Sequence, residues 1–347
     1  MKQRVSAYDV ANLAKVSQST VSRVLNNYPY VKKETKERVH AAISELGFSP
    51  DEIARSLANK KTNTIGLIVE DLSNPFYAET AHIILREAQK KDYEVIIIDA
   101  ETDEDSFERA ISSLIRKRVD GIIVACIRKD NKKIGEYSAE GLPIILYNRK
   151  IEGNGSIQNI EVDNRAGAKI AVNHLIDLKH ERIAYISGPV IYSTFNDRLK
   201  GYKEALEENK IAFDHNIVYQ GVISYEKVFD FSIGLIRNEN PPTAFFASTD
   251  YIALAIMDAA ARSGLHIPYD ISIIGFDDIN IASNPFIGLS TISQQKEKMA
   301  PLALKKLISL IEDKDDKKDS VSVILSPKLV LRKSTGFNKF RLIKRGD

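Results

Sequence analysis

Residues 8–26 read Tyr8-Asp9-Val10-Ala11-Asn12-Leu13-Ala14-Lys15-Val16-Ser17-Gln18-Ser19-Thr20-Val21-Ser22-Arg23-Val24-Leu25-Asn26, and this stretch decides how the chain is organised. Val10, Leu13 and Ala14, then Val21, Val24 and Leu25, recur three and four residues apart, the spacing of a buried helix face. A tight break at Lys15–Val16 separates the two sets, so residues 7–25 read as two short helices. Ser17 stands where its hydroxyl can satisfy a free backbone N–H at the start of the second. A third helix over about 33–46 carries Val39, Ile43 and Leu46 and stops at Gly47, a residue suited to a left-handed helix end. Helix–turn–helix plus a packing helix is the smallest unit that sets one helix into a major groove. The outward face of the second helix carries Gln18, Ser19, Ser22 and Arg23. Glutamine can pair with adenine and arginine with guanine N7/O6. The same residues also fit a merely solvated face.

Working outward, charge points the same way. Residues 1–61 carry a net +5 and the remainder −3, within +2 overall. A basic head on a mildly acidic body suits a polyanionic partner. The length of 347 residues predicts two or three modules, and 44% apolar with 28% charged residues is the balance of a soluble globular protein. No apolar run approaches the ~20 residues of a membrane span. Lys2, Arg4, Asp9, Lys15 and Arg23 interrupt the first 25 residues, so no export signal is expected and the chain reads as cytoplasmic. The single cysteine, Cys126, leaves no internal disulfide. The six histidines (40, 82, 174, 180, 215 and 266) lack ligand spacing, and neither G-x-x-x-x-G-K-[ST] nor H-E-x-x-H occurs. Neither a metal, a cofactor nor an enzymatic activity is therefore expected.

Beyond Thr62 short β-branched runs alternate with amphipathic helical stretches. Strands are predicted at Ile65–Val69, Val95–Ile98, Gly121–Ala125, Ile144–Tyr147, Ile183–Ser187, Ala244–Ala247 and Ile271–Gly275. Helices are predicted at about 77–91, 104–117, 165–177, 196–208, 225–237 and 250–263. Such alternation implies parallel sheets covered on both faces, the doubly wound class. There are too many units for one compact sheet, so two similar lobes are expected, with a seam at Glu161–Asp163 and further crossovers near 290 and 322. After a loop through Pro285, a helix at about 295–312 and strands near 321–325 and 328–332 follow, with Pro301 implying a late start or a kink.

Tyr8-Asp9-Val10-Ala11, Val16-Ser17 and Thr20-Val21-Ser22-Arg23-Val24-Leu25-Asn26 together resemble the opening signature of the LacI/GalR family of transcription regulators. The resemblance continues through Ala54-Arg55-Ser56-Leu57-Ala58, Ser73-Asn74-Pro75-Phe76-Tyr77, Asp120-Gly121-Ile122-Ile123, Arg198-Leu199-Lys200-Gly201-Tyr202 and Gly275-Phe276-Asp277-Asp278, and so covers residues 5–336. It implies a helix-turn-helix DNA-binding head over 1–50 and a hinge over 51–61. A two-lobed, periplasmic-binding-protein-like α/β effector and dimerisation domain would occupy 62–336, followed by a basic, disordered tail over 337–347. The implied function is an effector-controlled repressor of a near-palindromic double-stranded DNA operator. It would act as a homodimer, with tetramers possible. A two-fold protein reads a two-fold site, because its heads must sit about one DNA turn or more apart. An exported solute-binding clamp would share the two lobes but needs an export signal and lacks a DNA-reading head. A sugar-modifying enzyme is the other competing class.

By position, the resemblance places Tyr8, Gln18, Ser19 and Arg23 on bases and Ser17, Thr20 and Asn26 on phosphates. Leu57 becomes a minor-groove wedge, with Ala54 and Ala58 allowing close approach. Nine residues, Asp51–Asn59, fall below the ~12–15 an isolated helix needs in water, so this hinge would order only against DNA and its partner. In the body it implies effector contacts at Phe76, Tyr77, Asp163, Arg198, Thr249, Asp250, Asp277 and Gln294, with Thr249 standing where many relatives carry asparagine. The helix near 295–307 lacks the tyrosine and aspartate associated with carrier-protein docking in catabolite control proteins, which favours a small-molecule effector such as a sugar. Two departures concern the head: Lys32 replaces a frequent serine cap, and Asp51 and Glu52 bring two carboxylates near phosphates. The operator complex should therefore be salt-sensitive. Asp51→Asn is expected to raise operator affinity in salt titrations, and an unchanged affinity would contradict this reading.

Overall fold

A computed structural model describes residues 5–25, 28–48, 61–100, 104–153, 157–312 and 322–338. The chain divides into two compact units, Met1–Thr62 and Asn63–Asp347. Asn26, the hinge stretch with Ala54, Leu57 and Ala58, and the tail from residue 339 lie outside the described residues.

In the head, α1 (Ala7–Ala14), α2 (Gln18–Leu25) and α3 (Lys33–Leu46) follow the predicted spacing. Ser6 and Asp9 cap α1 reciprocally, the Ser6 N–H donating to Asp9 Oδ2 at 2.8 Å. Lys15 ends α1 in the left-handed region at φ 51°, which makes the tight break before α2. Ser17 Oγ accepts from the Thr20 N–H at 3.2 Å, the predicted cap. Lys32 gives α3 no side-chain cap bond, and Gly47 closes it at φ 59°. Val10, Ala11, Ala14, Val21, Val24, Val39 and Ala42 form the small core that fixes α2 against its neighbours.

The body alternates strand and helix. Its strands are β1 (Thr64–Val69), β2 (Glu94–Asp99), β3 (Gly121–Val124), β4 (Ile144–Tyr147), β5 (Asn159–Val162) and β6 (Ile183–Ser187). They continue with β7 (Val218–Gln220), β8 (Ala244–Ala247), β9 (Ser272–Asp277), β10 (Ser290–Ser293), β11 (Val323–Leu325) and β12 (Lys328–Val330). The helices are α4 (Pro75–Gln89), α5 (Glu104–Arg116), α6 (Lys133–Ala139), α7 (Asn164–Asp177), α8 (Ser193–Glu208), α9 (Tyr225–Ile236), α10 (Asp250–Arg262) and α11 (Lys296–Glu312). One sheet runs β11-β5-β4-β3-β1-β2 and the other β12-β10-β9-β8-β6-β7. All pairings are parallel except β10 with β12. The central strands β1, β3, β4, β6, β8 and β9 are buried almost throughout and mostly apolar, as two helix-covered faces require, while the edge strands β2, β7, β11 and β12 are only partly buried.

The chain passes between the sheets three times: from β5 into α7, from β10 into α11, and from β11 to β12. Although α11 follows a strand of the second sheet, it packs on α4, β3, β4 and β5 of the first. It runs through Pro301 from Lys296 without a late start.

Three strands and one helix escape the hydrophobic pattern: β5, β7, β10 and α6. In β5 and β10 the buried positions include Asn159, Glu161, Ser290 and Thr291, polar residues that each have a specific side-chain partner and are not excluded from the core. The end of the chain is likewise held by polar contacts. His180 lies buried, its Nδ1 2.9 Å from Thr243 Oγ1 and its Nε2 2.9 Å from Ser272 Oγ and 3.0 Å from the Gly336 carbonyl. Asn338 N–H donates to the Leu178 carbonyl at 2.9 Å, so the ordered body continues past the predicted boundary at 336.

Burial pushes the His180 imidazole down to about 4 from 6.5. The unfolded ring takes its proton near 6.5 and the folded ring only near 4, so stability is complete above that window and falls as pH drops through it. The full effect is about 3 kcal/mol. Urea denaturation between pH 7 and 4 should show a loss steeper by about that amount in the native protein than in His180→Gln. Equal slopes would remove His180 as the source.

Candidate DNA-reading face and effector cleft

The burial of Val21 and Val24 turns the rest of α2 outward. Ser17, Gln18, Ser19, Ser22 and Arg23 are exposed and Thr20 is half-buried, while Tyr8 on α1 is 63% exposed. Ser17 Oγ also lies 2.8 Å from Ser19 Oγ and 2.8 Å from Thr20 Oγ1, which ties three hydroxyls together at the first turn of α2. The face therefore presents one amide, one guanidinium and a hydroxyl cluster on a rigid helix, the donor and acceptor set that base edges and phosphates engage.

In the body, β1 lies between β2 and β3 in one sheet, and β6 lies between β7 and β8 in the other. Strand order reverses at both points, and ligands settle outside the carboxyl ends of strands at such reversals. Segments following β1, β4, β6, β7, β8 and β9 line a cavity of about 330 Å³, with Phe76, Tyr77, Arg198, Thr249 and Asp277 among its walls. That volume is at the small end of the ~300–1,000 Å³ usual for ligand sites.

On the second lobe, Arg198 is buried. Its Nε donates to Asn164 Oδ1 at 2.9 Å and its Nη1 to the Ser248 carbonyl. The same Nη1 is 3.5 Å from Asp277 Oδ1, and the guanidinium carbon lies 3.6 Å above the Phe276 ring. Asp277 sits at φ 128° and Asp278 at φ 56°, backbone regions costly for side-chain-bearing residues. Surrounding bonds hold that turn: Gln294 Nε2 donates to Asp277 Oδ1 at 2.5 Å, and Arg332 Nη2 to Asp278 Oδ1 at 2.6 Å.

The structure separates the eight expected effector residues. Five line the cavity, and Thr249 also caps α10 by accepting from the Ile252 N–H at 3.1 Å. Gln294 and Asp250 are buried behind the wall. Gln294 orients Asp277, while Asp250 accepts from Thr291 Oγ1 at 2.5 Å and from the Ile279 N–H at 2.9 Å. A Cβ at Gly275 would stand 2.1 Å from Asp250 Oδ1, so glycine there makes room for this carboxylate. Asp163 is exposed, caps α7 through the Ala166 N–H at 2.9 Å, and lies away from the cavity.

Sequence reasoning missed Arg149 with its partners Glu70, Tyr192, Thr194 and Phe195, all of which line the cavity. Arg149 is 1% exposed. Its Nη2 donates to Glu70 and, at 3.0 Å, to Tyr77 Oη, and its Nη1 donates to Thr194 Oγ1. Its guanidinium carbon lies 4.5 Å from the Tyr192 ring centroid and 5.3 Å from that of Phe195. The Asn148-Arg149 pair after a strand was the available signal. Asn148 adopts φ 55°, a left-handed turn that asparagine tolerates, and lines the same cavity.

Burial pushes Asp250 and Asp277 above the ordinary carboxylate range. The Asp277 charge raises Asp250 further, whereas Arg198 and the Gln294 bond pull Asp277 back. A carboxyl whose folded pKa is raised stabilises the fold at low pH and loses that contribution as pH rises through the raised value. In denaturation series from pH 5 to 8, Asp250→Asn should therefore gain on the native protein by at least ~1.4 kcal/mol, a tenfold change in proton affinity. A difference that does not change with pH would contradict it.

Comparison with known proteins places this geometry in context. Residues 6–51 match the family model "Bacterial regulatory proteins, lacI family", and residues 172–335 match "Periplasmic binding protein-like domain". Catabolite control protein A of Priestia megaterium is 33% identical over 335 residues, covering 95% of this chain and 99% of that protein. The ribose operon repressor of Haemophilus influenzae is 35% identical over 337 residues, covering 94% and 97%. The lac repressor dimer bound to operator and the anti-inducer ONPF superposes with a TM-score of 0.85 at 28% identity, covering 96% of this chain and 100% of that one.

Proposed function

Because the chain belongs to the lacI family of bacterial regulatory proteins, and is a DNA-binding transcriptional repressor of that family, we propose that a neutral, sugar-sized polyhydroxyl effector in the cleft sets its operator affinity. The observation that carries this reading is a cleft wall in which the polar side chains of Asn148, Arg149, Thr194, Arg198, Thr249 and Asp277 stand together. Such a mixture of donors and acceptors matches hydroxyl groups, each of which both donates and accepts. The two guanidinium groups face two carboxylates, Glu70 and Asp277, so the wall carries no strong bias toward a charged ligand. Phe76, Tyr77, Tyr192 and Phe195 supply apolar surface for the C–H face of a ring.

In this reading α2 enters the major groove, with Gln18 and Arg23 on base edges and Ser17 and Thr20 on phosphates. Asn26 adds a phosphate contact, and Leu57 wedges a minor-groove step with Ala54 and Ala58 beside it. The working unit is a homodimer, since two heads on one near-palindrome require a two-fold axis. Phe286, 99% exposed, is the kind of apolar residue that a subunit contact covers. The effector acts by preferring one arrangement of the lobes, and it shifts DNA affinity only as far as that preference extends.

The test is binding to a near-palindromic fragment selected from random duplexes, read by anisotropy with and without monosaccharides, beginning with D-ribose. Arg23→Ala should lose about 1–3 kcal/mol of discrimination against scrambled DNA. A sugar at 100 times its dissociation constant should stabilise the body by about 2.7 kcal/mol and change operator affinity. Identical operator affinity at saturating sugar, or no stabilisation by any sugar, would overturn the effector reading.

A further inference from the structure

Arg149 follows β4, in the first lobe, yet three of its five side-chain partners belong to the second. Glu70 and Tyr77, from the segment after β1, anchor Nη2 on its own side. Across the cleft, Thr194 accepts from Nη1, and the Tyr192 and Phe195 rings flank the guanidinium. The neighbouring backbone is fastened to the same helix start, because the Lys150 N–H donates to Ser193 Oγ at 3.0 Å and Lys150 Nζ lies 2.6 Å from Asp197. One further strut joins the lobes nearby, the Lys129 N–H donating to the Ile191 carbonyl at 2.9 Å. The target of these contacts is the first turn of α8, and Arg198 stands just beyond it on the same helix. Arg149 is also among the residues that line the cavity.

We propose that Arg149 is a positioning residue that latches the two lobes together by gripping the start of α8 from the first lobe. Because α8 also carries Arg198, the contact that ties the first lobe to this helix also sets where Arg198 stands against the first-lobe wall of the cavity. The latch does not rest on the effector reading.

Spin labels at Lys132→Cys on the first lobe and Glu226→Cys on the second, both exposed, report the lobe separation by pulsed electron resonance in the full-length protein. Cys126, the one native cysteine, is buried. Arg149→Gln is too short to span the cleft and should lengthen the mean distance by about 2 Å or more, or broaden it to that extent. Thr194→Val, which removes one acceptor and keeps the side-chain volume, should shift it in the same direction by less. An unchanged distribution in Arg149→Gln overturns the latch, and if that variant does not fold, an unchanged distribution in Thr194→Val does so. The measurement needs no sugar, so a failed sugar screen and a failed latch are separate results.

Discussion

Two guanidinium groups cannot be withdrawn from water unless something nearby answers their charge, and this constraint organises the body of the protein. Arg149 and Arg198 are nearly inaccessible, and each is held by a carboxylate, a hydroxyl or carbonyl, and an aromatic face. Removing one partner of such a pair leaves an uncompensated buried charge, at a cost of roughly 3–5 kcal/mol. The local backbone answers to these pairs: the left-handed Asn148 precedes Arg149, and the turn at Asp277 and Asp278 carries the carboxylate beside Arg198. The cleft is built around its charges rather than lined with them afterwards.

The head is made differently. Seven small apolar side chains fix three helices, and its functional face is what that packing leaves outside. The hydroxyls at the first turn of α2 partner one another. Recognition of DNA by such a face depends on helix placement, so the capping of α1 by Ser6 and Asp9 and the ordered turn at Lys15 matter to reading although neither need touch a base.

Much of this was legible in the sequence, and the exceptions share a cause. The head helices follow from Val10, Val21, Val24 and Val39 at helical spacing, and the strands with continuous apolar runs, such as β1 and β9, stand out for the same reason. β5 and β10 do not, because Glu161 and Thr291 occupy buried positions that a hydrophobic pattern reads as solvent-facing. The cleft divides in the same way. Phe76, Tyr77, Arg198 and Asp277 announce themselves by type and by motif, whereas Arg149 pairs with residues 79 and 45 positions away. Asp163 shows the converse: an aspartate between a strand and a helix has a local use as a cap, and it serves that use here outside the cavity lining.

The three passages between the sheets have a consequence for how the molecule is made. The first lobe takes its covering helix α11 and its edge strand β11 from the last sixth of the chain, after nearly all of the second lobe has been laid down. During synthesis, proceeding at ~5–20 residues per second, the earlier lobe must wait with one flank open until its sibling has emerged. Neither half is a contiguous fragment that could be cut out and expressed alone. A chain that stops short of residue 312 would release a protein whose first sheet lacks its border strand, open to pairing with other copies.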